Sequence, residues 1–166
     1  MNIRPYQSDD LQDICDIYNH YIENTIITFE EEKVSKETME GRILNCLENY
    51  PWMVCAIENK VCGYAYASRW KERSAYRHSV EVTVYLDHKQ GGKGYGKAIY
   101  SELLDQLGED VHAVFAGIAL PNEASIGLHE SFGFEKAAHF KEVGQKFGRW
   151  VDVGYWQKIL TPTTLS

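Results

Sequence analysis

Two kinds of chemistry stand close together between Ser79 and Leu107, in the stretch SVEVTVYLDHKQGGKGYGKAIYSELLDQL. The first is acid–base. Glu81 sits in a β-branched run, Val80 to Leu86, that reads as a strand ending at Asp87. A carboxylate on such a strand is partly desolvated, which raises its pKa and suits it to accept a proton from an attacking group. The second is anion binding. Gly91, Gly92, Gly94 and Gly96 leave few side chains in the way, and from Gly94 onward Ile99, Tyr100, Leu103 and Leu107 recur at helical spacing. Backbone amides at that helix N-terminus, aided by the positive end of the helix dipole, form a site for phosphate.

Three phosphate-binding patterns compete for this turn. A dinucleotide fingerprint wants G-x-G-x-x-G with an acid about 20 residues later; from Gly92 the spacing is G-x-G-x-G, and Val111 to Leu120 holds no acid. A mononucleotide loop wants G-x-x-x-x-G-K-[ST]; Gly91, Gly96 and Lys97 fit, but Ala98 occupies the place of the magnesium-binding hydroxyl. The third pattern needs only amides that hold a pyrophosphate without metal. The plain alternative is a glycine-rich connection between a strand and a helix.

These residues must be positioned by a chain of 166 residues, enough for one domain with a full core. Hydrophobic residues make up 44% and charged residues 25%, ordinary for a soluble globular protein. No apolar run is long enough to span a bilayer and no secretory leader is visible, so a cytoplasmic location is expected. The net charge of −7 argues against a nucleic-acid partner. Cys15, Cys46, Cys55 and Cys62 lie in apolar segments without C-x-x-C spacing, and the histidines form no H-x-x-x-H pair, so buried thiols and no metal site are expected.

In chain order, Met1 to Pro5 reads as a strand, and Ser8 with Asp9 and Asp10 as the capped start of a helix running to about Glu23. Residues 24 to 33 connect it to a second helix, capped by Ser35 and ending near Glu48. Phe29, a large apolar residue in that polar connection, is either a plug on the core or one wall of a site. Tyr50 to Ile57 and Val61 to Arg69 form a hairpin around Glu58-Asn59-Lys60. The basic loop RWKERSAYRH follows; it is either a solvated face or a clamp for a carboxylate or phosphinate. Val111 to Leu120 is a buried strand, Ala124 to Phe132 a helix stopped by Gly133, and Lys141 to Leu160 two strands around the turn Gly144 to Gly148. The fold class is therefore α/β (α+β): a mixed, mostly antiparallel seven-stranded sheet with four helices, ordered β-α-α-β-β-β-α-β-α-β-β. Residues 1–160 form one domain and 161–166 a frayed tail.

The glycine turn resembles the coenzyme A loop, R/Q-x-x-G-x-G/A, of the GNAT superfamily of N-acetyltransferases. Gly94 and Gly96 fit, whereas Gly91 stands where that pattern has Arg or Gln, with Gln90 one residue early. The segments IYNHYIENTIITFE, YPWMV, WKERSAY, VEVTVYL, LPNEASIGLHESFGF and VGQKFGRWVDVGYWQ are similar to the phosphinothricin and methionine sulfoximine acetyltransferase branch. The resemblance covers nearly the whole chain. It implies acetyl-CoA as cosubstrate, held by backbone at Val84, Tyr85 and Leu86, by the loop Gly92, Lys93, Gly94, Tyr95, Gly96 and Lys97, and by Asn122 and Ser131. It implies an amine acceptor among Phe29, Lys71, Glu72, Arg73, Val82 and Thr83, with Glu81 as base. His129 matches a residue implicated in the reaction; the plainer reading is a histidine that packs beside its helix. A homodimer is also implied. Two other classes stay open: a non-catalytic acyl-CoA sensor, and an acetyltransferase acting on peptides or proteins.

Overall fold

The computed structural model describes residues 1–160, and the tail expected at 161–166 lies outside them. The elements follow the expected order. They are β1 (Asn2–Pro5), α1 (Leu11–Asn24), α2 (Lys36–Leu47), β2 (Trp52–Ile57), β3 (Lys60–Arg69), β4 (Ser79–Leu86), α3 (Tyr95–Asp105), β5 (Ala113–Leu120), α4 (Glu123–Ser131), β6 (Glu135–Lys146) and β7 (Arg149–Ile159). Strand order in the seven-stranded sheet is β1-β2-β3-β4-β5-β7-β6. Pairing is antiparallel in β1/β2, β2/β3, β5/β7 and β6/β7, and parallel in β4/β5, where Ser79, Val80 and Glu81 face Ala113, Val114 and Phe115.

Two compact units share the chain, and β4 runs from one into the other between Val82 and Thr83. The first unit comprises residues 1–25, 32–67 and 83–107. Its core is the apolar stripe of α1 (Leu11, Ile14, Cys15, Ile22), with Met39 and Ile43 of α2, packed on Trp52, Val54 and Tyr64 of the sheet. Leu11, Ile14 and Cys15 recur at three- and four-residue spacing, so one face of α1 is buried along its length. Among the described residues, the second unit comprises 26–31, 68–82 and 108–160. Here β7 lies between β5 and β6 and pairs antiparallel with both, and Trp156 of β7 donates from Nε1 to Glu130 Oε1 of α4 at 3.3 Å.

Several local expectations hold and several are corrected. Ser35 Oγ accepts from the Thr38 amide and starts α2, as its type predicts. All four cysteines are buried and free. Ser8 does not cap α1: residues 8–10 form a 3-10 turn, and Asp10 instead accepts from the Gln7 amide at 2.8 Å and from both Arg4 nitrogens. β5 begins at Ala113 rather than Val111, and α3 ends at Asp105. The larger correction concerns the last hairpin. β6 starts at Glu135, six residues before Lys141, and its turn is Phe147-Gly148, both at positive φ. Among the described residues no helix is long and apolar enough to cross a membrane.

Candidate active site

Along β4 side chains alternate between faces: Val80 and Val82 are buried, while Glu81 and Thr83 lie half-buried. Burial pushes the Glu81 carboxyl above the ordinary carboxylate range, and the positive charge of Lys71 pulls it partly back. Glu81 pairs with Phe115 on β5, and Gly117, two residues on, pairs with Tyr155 of β7. Side chains of directly paired residues project from the same face, so Glu81 and Tyr155 share one. The Tyr155 phenol is accordingly pushed up, chiefly by burial and further by the charge of Glu81. Tyr155 was not singled out from the sequence; its register opposite Gly117 is what brings it here.

The residues expected around an acceptor fall into three groups. Trp70 stacks on Phe115 with centroids 4.4 Å apart, and Lys71 Nζ lies 5.2 Å from the Trp70 ring, which keeps this cation beside Glu81. Of the basic loop, Arg69 is joined to Glu72 at 2.9 Å and Arg77 donates to the Ser74 carbonyl, whereas Arg73 is an exposed residue heading the turn Ser74–Tyr76. Val82 is buried at 3% exposure, so its side chain is closed to a ligand. Phe29 is 40% exposed, and the inner side of its ring lies where a side chain at Gly144 would have to go. It is thus seated on β6 and open on the other side. Lys146, two residues on, donates to the Thr28 carbonyl at 2.7 Å. It was not singled out from the sequence.

The backbone of the turn takes the conformations that its glycines imply. Gly94, at φ 83°, is the N-cap of α3, and Gly92 has φ 76°, conformations that an L side chain resists. The first intrahelical bond is Ala98 N–H to the Gly94 carbonyl at 3.1 Å, so the amides of Tyr95, Gly96 and Lys97 point out of the helix end. No acidic side chain occupies that first turn. Lys93 Nζ holds Gln90 Oε1 at 2.9 Å. Upstream, the Leu86 carbonyl accepts from the Tyr21 hydroxyl at 2.6 Å, and Tyr85 packs against Tyr18 and Tyr21. The donor groups therefore fit a pyrophosphate approached by amides alone.

The remaining site candidates lie on α4. Asn122 caps the helix, its Oδ1 accepting from the Ser125 amide at 3.2 Å. Ser131 donates to the Leu128 carbonyl at 2.6 Å. His129 is buried, with Nδ1 2.7 Å from the Ser125 carbonyl; a carbonyl only accepts, so Nδ1 carries the proton. Its ring meets Phe134 edge-on at 5.3 Å. Burial lowers its pKa, and the bond to Ser125 opposes that.

Residues 3–154 match the acetyltransferase (GNAT) domain family. A phosphinothricin N-acetyltransferase of Streptomyces coelicolor is 40% identical over 165 residues, covering 96% of each chain. Among solved structures, a GNAT superfamily phosphinothricin acetyltransferase from Sinorhizobium meliloti in complex with AcCoA superposes with a TM-score of 0.93 at 37% identity, covering 99% of this chain and 91% of that one. A ribosomal-protein-alanine N-acetyltransferase from Brucella melitensis gives a TM-score of 0.93 at 38% identity, covering 96% and 100%. The fold is that of these enzymes, and the chain belongs to the GNAT family of acetyltransferases.

Proposed function

We propose that the chain transfers the acetyl group of acetyl-CoA to the amino group of a small amino acid analogue of the phosphinothricin or methionine sulfoximine type. The observation that carries this reading is Glu81, a desolvated carboxyl beside Lys71, on the strand that leads into the cradle at Gly92 to Lys97. Acetyl-CoA supplies an activated acyl carbon and a thiolate leaving group. The amides of Tyr95, Gly96 and Lys97 take the pyrophosphate, and the backbone of Val84, Tyr85 and Leu86 lies alongside the pantetheine as a strand would. Asn122 and Ser131 meet the rest of that molecule.

An acceptor amine is protonated near neutral pH, and only its free lone pair attacks the acyl carbon. Glu81 removes the proton, directly or through one water, and its raised pKa matches the task. A backbone N–H near Val84 donates to the developing oxyanion. The C–N bond forms, the oxyanion collapses, and the C–S bond breaks to release coenzyme A, whose thiolate takes up the proton that the nitrogen loses on becoming an amide, with no covalent enzyme intermediate. Lys71 and Arg73 hold the anionic groups of the acceptor, Phe29 packs on its stem, and the backbone of Val82 and Thr83 lines the approach.

The name of the Brucella neighbour favours a second reading, in which the acceptor is a protein amino terminus. One assay separates them: thiol release from acetyl-CoA with phosphinothricin, methionine sulfoximine, other free amino acids and alanine-terminated peptides. Turnover of the small anionic amino acids above the peptides is expected; peptides turned over faster would transfer the function to the second reading. The chain is also proposed to pair with a second copy through the β6–β7 hairpin, where Phe147 and Trp150 are 60% and 61% exposed. Sedimentation at micromolar concentration should give the dimer mass, and a monomer would remove this part.

A further inference from the structure

Lys146 is the most deeply buried cation among the described residues, at 2% exposure. Burying an ammonium is unfavourable unless it is well partnered, so its position calls for a reason. Its Nζ donates to the Thr28 carbonyl at 2.7 Å, with the Phe147 ring 5.1 Å away. Burial pushes its pKa down while Glu31 and Glu30 push it back up, all from the segment it holds. Gly144 lies two residues earlier on the same strand, hence on the same face of β6. A Cβ at Gly144 would lie 2.6 Å from Phe29 Cζ and 2.9 Å from Phe29 Cδ2, so the ring sits where a side chain would be. One face of β6 thus grips two consecutive residues of the connection after α1: the Thr28 carbonyl by a charged donor, the Phe29 ring by a missing side chain.

An irregularity in the ladder precedes that face. The β6/β7 register shifts between Phe140 and Gly144, and Glu142 within the shift has φ 52°. Phe140 pairs with Val153 and Gly144 with Val151, so β6 gains two residues over β7 there, and this even number keeps Gly144 and Lys146 on the face that carries Phe140. The whole arrangement lies within the second compact unit.

We infer that Lys146 and Gly144 are positioning residues that fix Phe29 as the rigid apolar wall of the acceptor subsite, and so set which amino acid stems the enzyme accepts. This rests on the proposed acceptor role of Phe29. The lock acts through orientation: a ring held on one side by β6 presents its open side at a fixed height, and displacing it by the size of a methyl group changes how closely a substrate stem can pack. The acceptor term should move while the acetyl-CoA term stays.

The test is a double-mutant cycle on the full chain with Gly144→Ala, Lys146→Met and Phe29→Ala, read with phosphinothricin and methionine sulfoximine as acceptors. With Phe29 present, Gly144→Ala and Lys146→Met should each raise the acceptor KM about 10-fold and leave the acetyl-CoA KM within about 2-fold. In the Phe29→Ala background, Gly144→Ala should change the acceptor KM by less than about 2-fold, since the ring it displaces is gone. Hydrogen exchange at residues 26–31 should be faster by about 10-fold or more in Lys146→Met than in the parent. Should Lys146→Met not fold, Gly144→Ala carries the cycle alone. Acceptor constants unchanged in both variants, equal effects with and without Phe29, or parallel rises in both KM values would each overturn the inference. If the parent acetylates neither acceptor, the function proposed above has failed instead, and hydrogen exchange decides the lock: unchanged exchange at 26–31 rejects it.

Discussion

The Tyr21 hydroxyl of α1 donates to the carbonyl of Leu86, the last residue of β4, across 2.6 Å. The bond ties the helix to the point where the strand turns toward the glycine loop. Burial, and next the charge of Asp87, raise the Tyr21 pKa, so the hydroxyl remains a donor through the neutral range. Tyr21→Phe removes the donor and little else. It should lower stability by about 1 kcal/mol, the usual net worth of one hydrogen bond, and raise the acetyl-CoA KM a few-fold. Urea unfolding and steady-state kinetics check both; no change in either would make the bond incidental.

Gly91 is the one loop glycine that departs from the family pattern, and nothing in its surroundings requires a glycine. Its φ is not positive, and no atom lies within 4 Å of a Cβ built there. Gly91→Arg should therefore fold normally and add a charged donor toward the pyrophosphate. The expected result is an acetyl-CoA KM lowered by about 3- to 10-fold at low salt, with the gain shrinking as salt is added. A raised KM would mean that the loop amides hold the phosphates in another orientation.

Most of the fold could be read from local pattern, because its elements are specified locally. The α1 stripe, the Ser35 cap, the hairpin around Glu58-Asn59 and Gly94 at the head of α3 each announce themselves within one turn or one strand. The first half of β6 could not. Its residues EKAAHFKE carry few β-branched or buried side chains, and most are exposed, so the strand is held by its ladder with β7 rather than by its own propensity. The site divides the same way. Glu81 and the cradle are contiguous in sequence. Lys146, in contrast, finds its partner 118 residues away at Thr28, and Tyr155 meets the field of Glu81 only through two strand registers.

Arg73 tests the acceptor side. Its guanidinium is exposed, at the head of the turn Ser74–Tyr76, and an Arg fork suits a planar carboxylate better than a lysine does. Arg73→Ala should raise KM for an anionic amino acid acceptor by roughly 10-fold, the scale of a lost charge-assisted bond. The acetyl-CoA KM should barely move. Both constants rising together would assign Arg73 to the fold or the donor site, and neither moving would leave the loop a solvated face.

Lys71 tests the electrostatics of the base. Glu81 must be ionised to accept a proton, so activity falls as pH drops through its pKa, and burial places that limb above the ordinary carboxylate range. Lys71 stabilises the ionised form. Removing it in Lys71→Met raises the Glu81 pKa further and should carry the acid limb of kcat/KM to higher pH. A limb that stays put, or moves down, would separate Lys71 from Glu81.

The measurement that bears most directly on the whole account is thiol release by Glu81→Gln, a nearly isosteric change, at saturating acetyl-CoA and acceptor near neutral pH. With Glu81 as the base, kcat falls by about 100-fold or more, the range expected for a lost general base, while acetyl-CoA binding measured by calorimetry is unchanged. The loss should diminish at high pH, where the acceptor amine is already unprotonated. A variant that turns over at the parent rate at neutral pH would remove Glu81 from the mechanism and contradict the account.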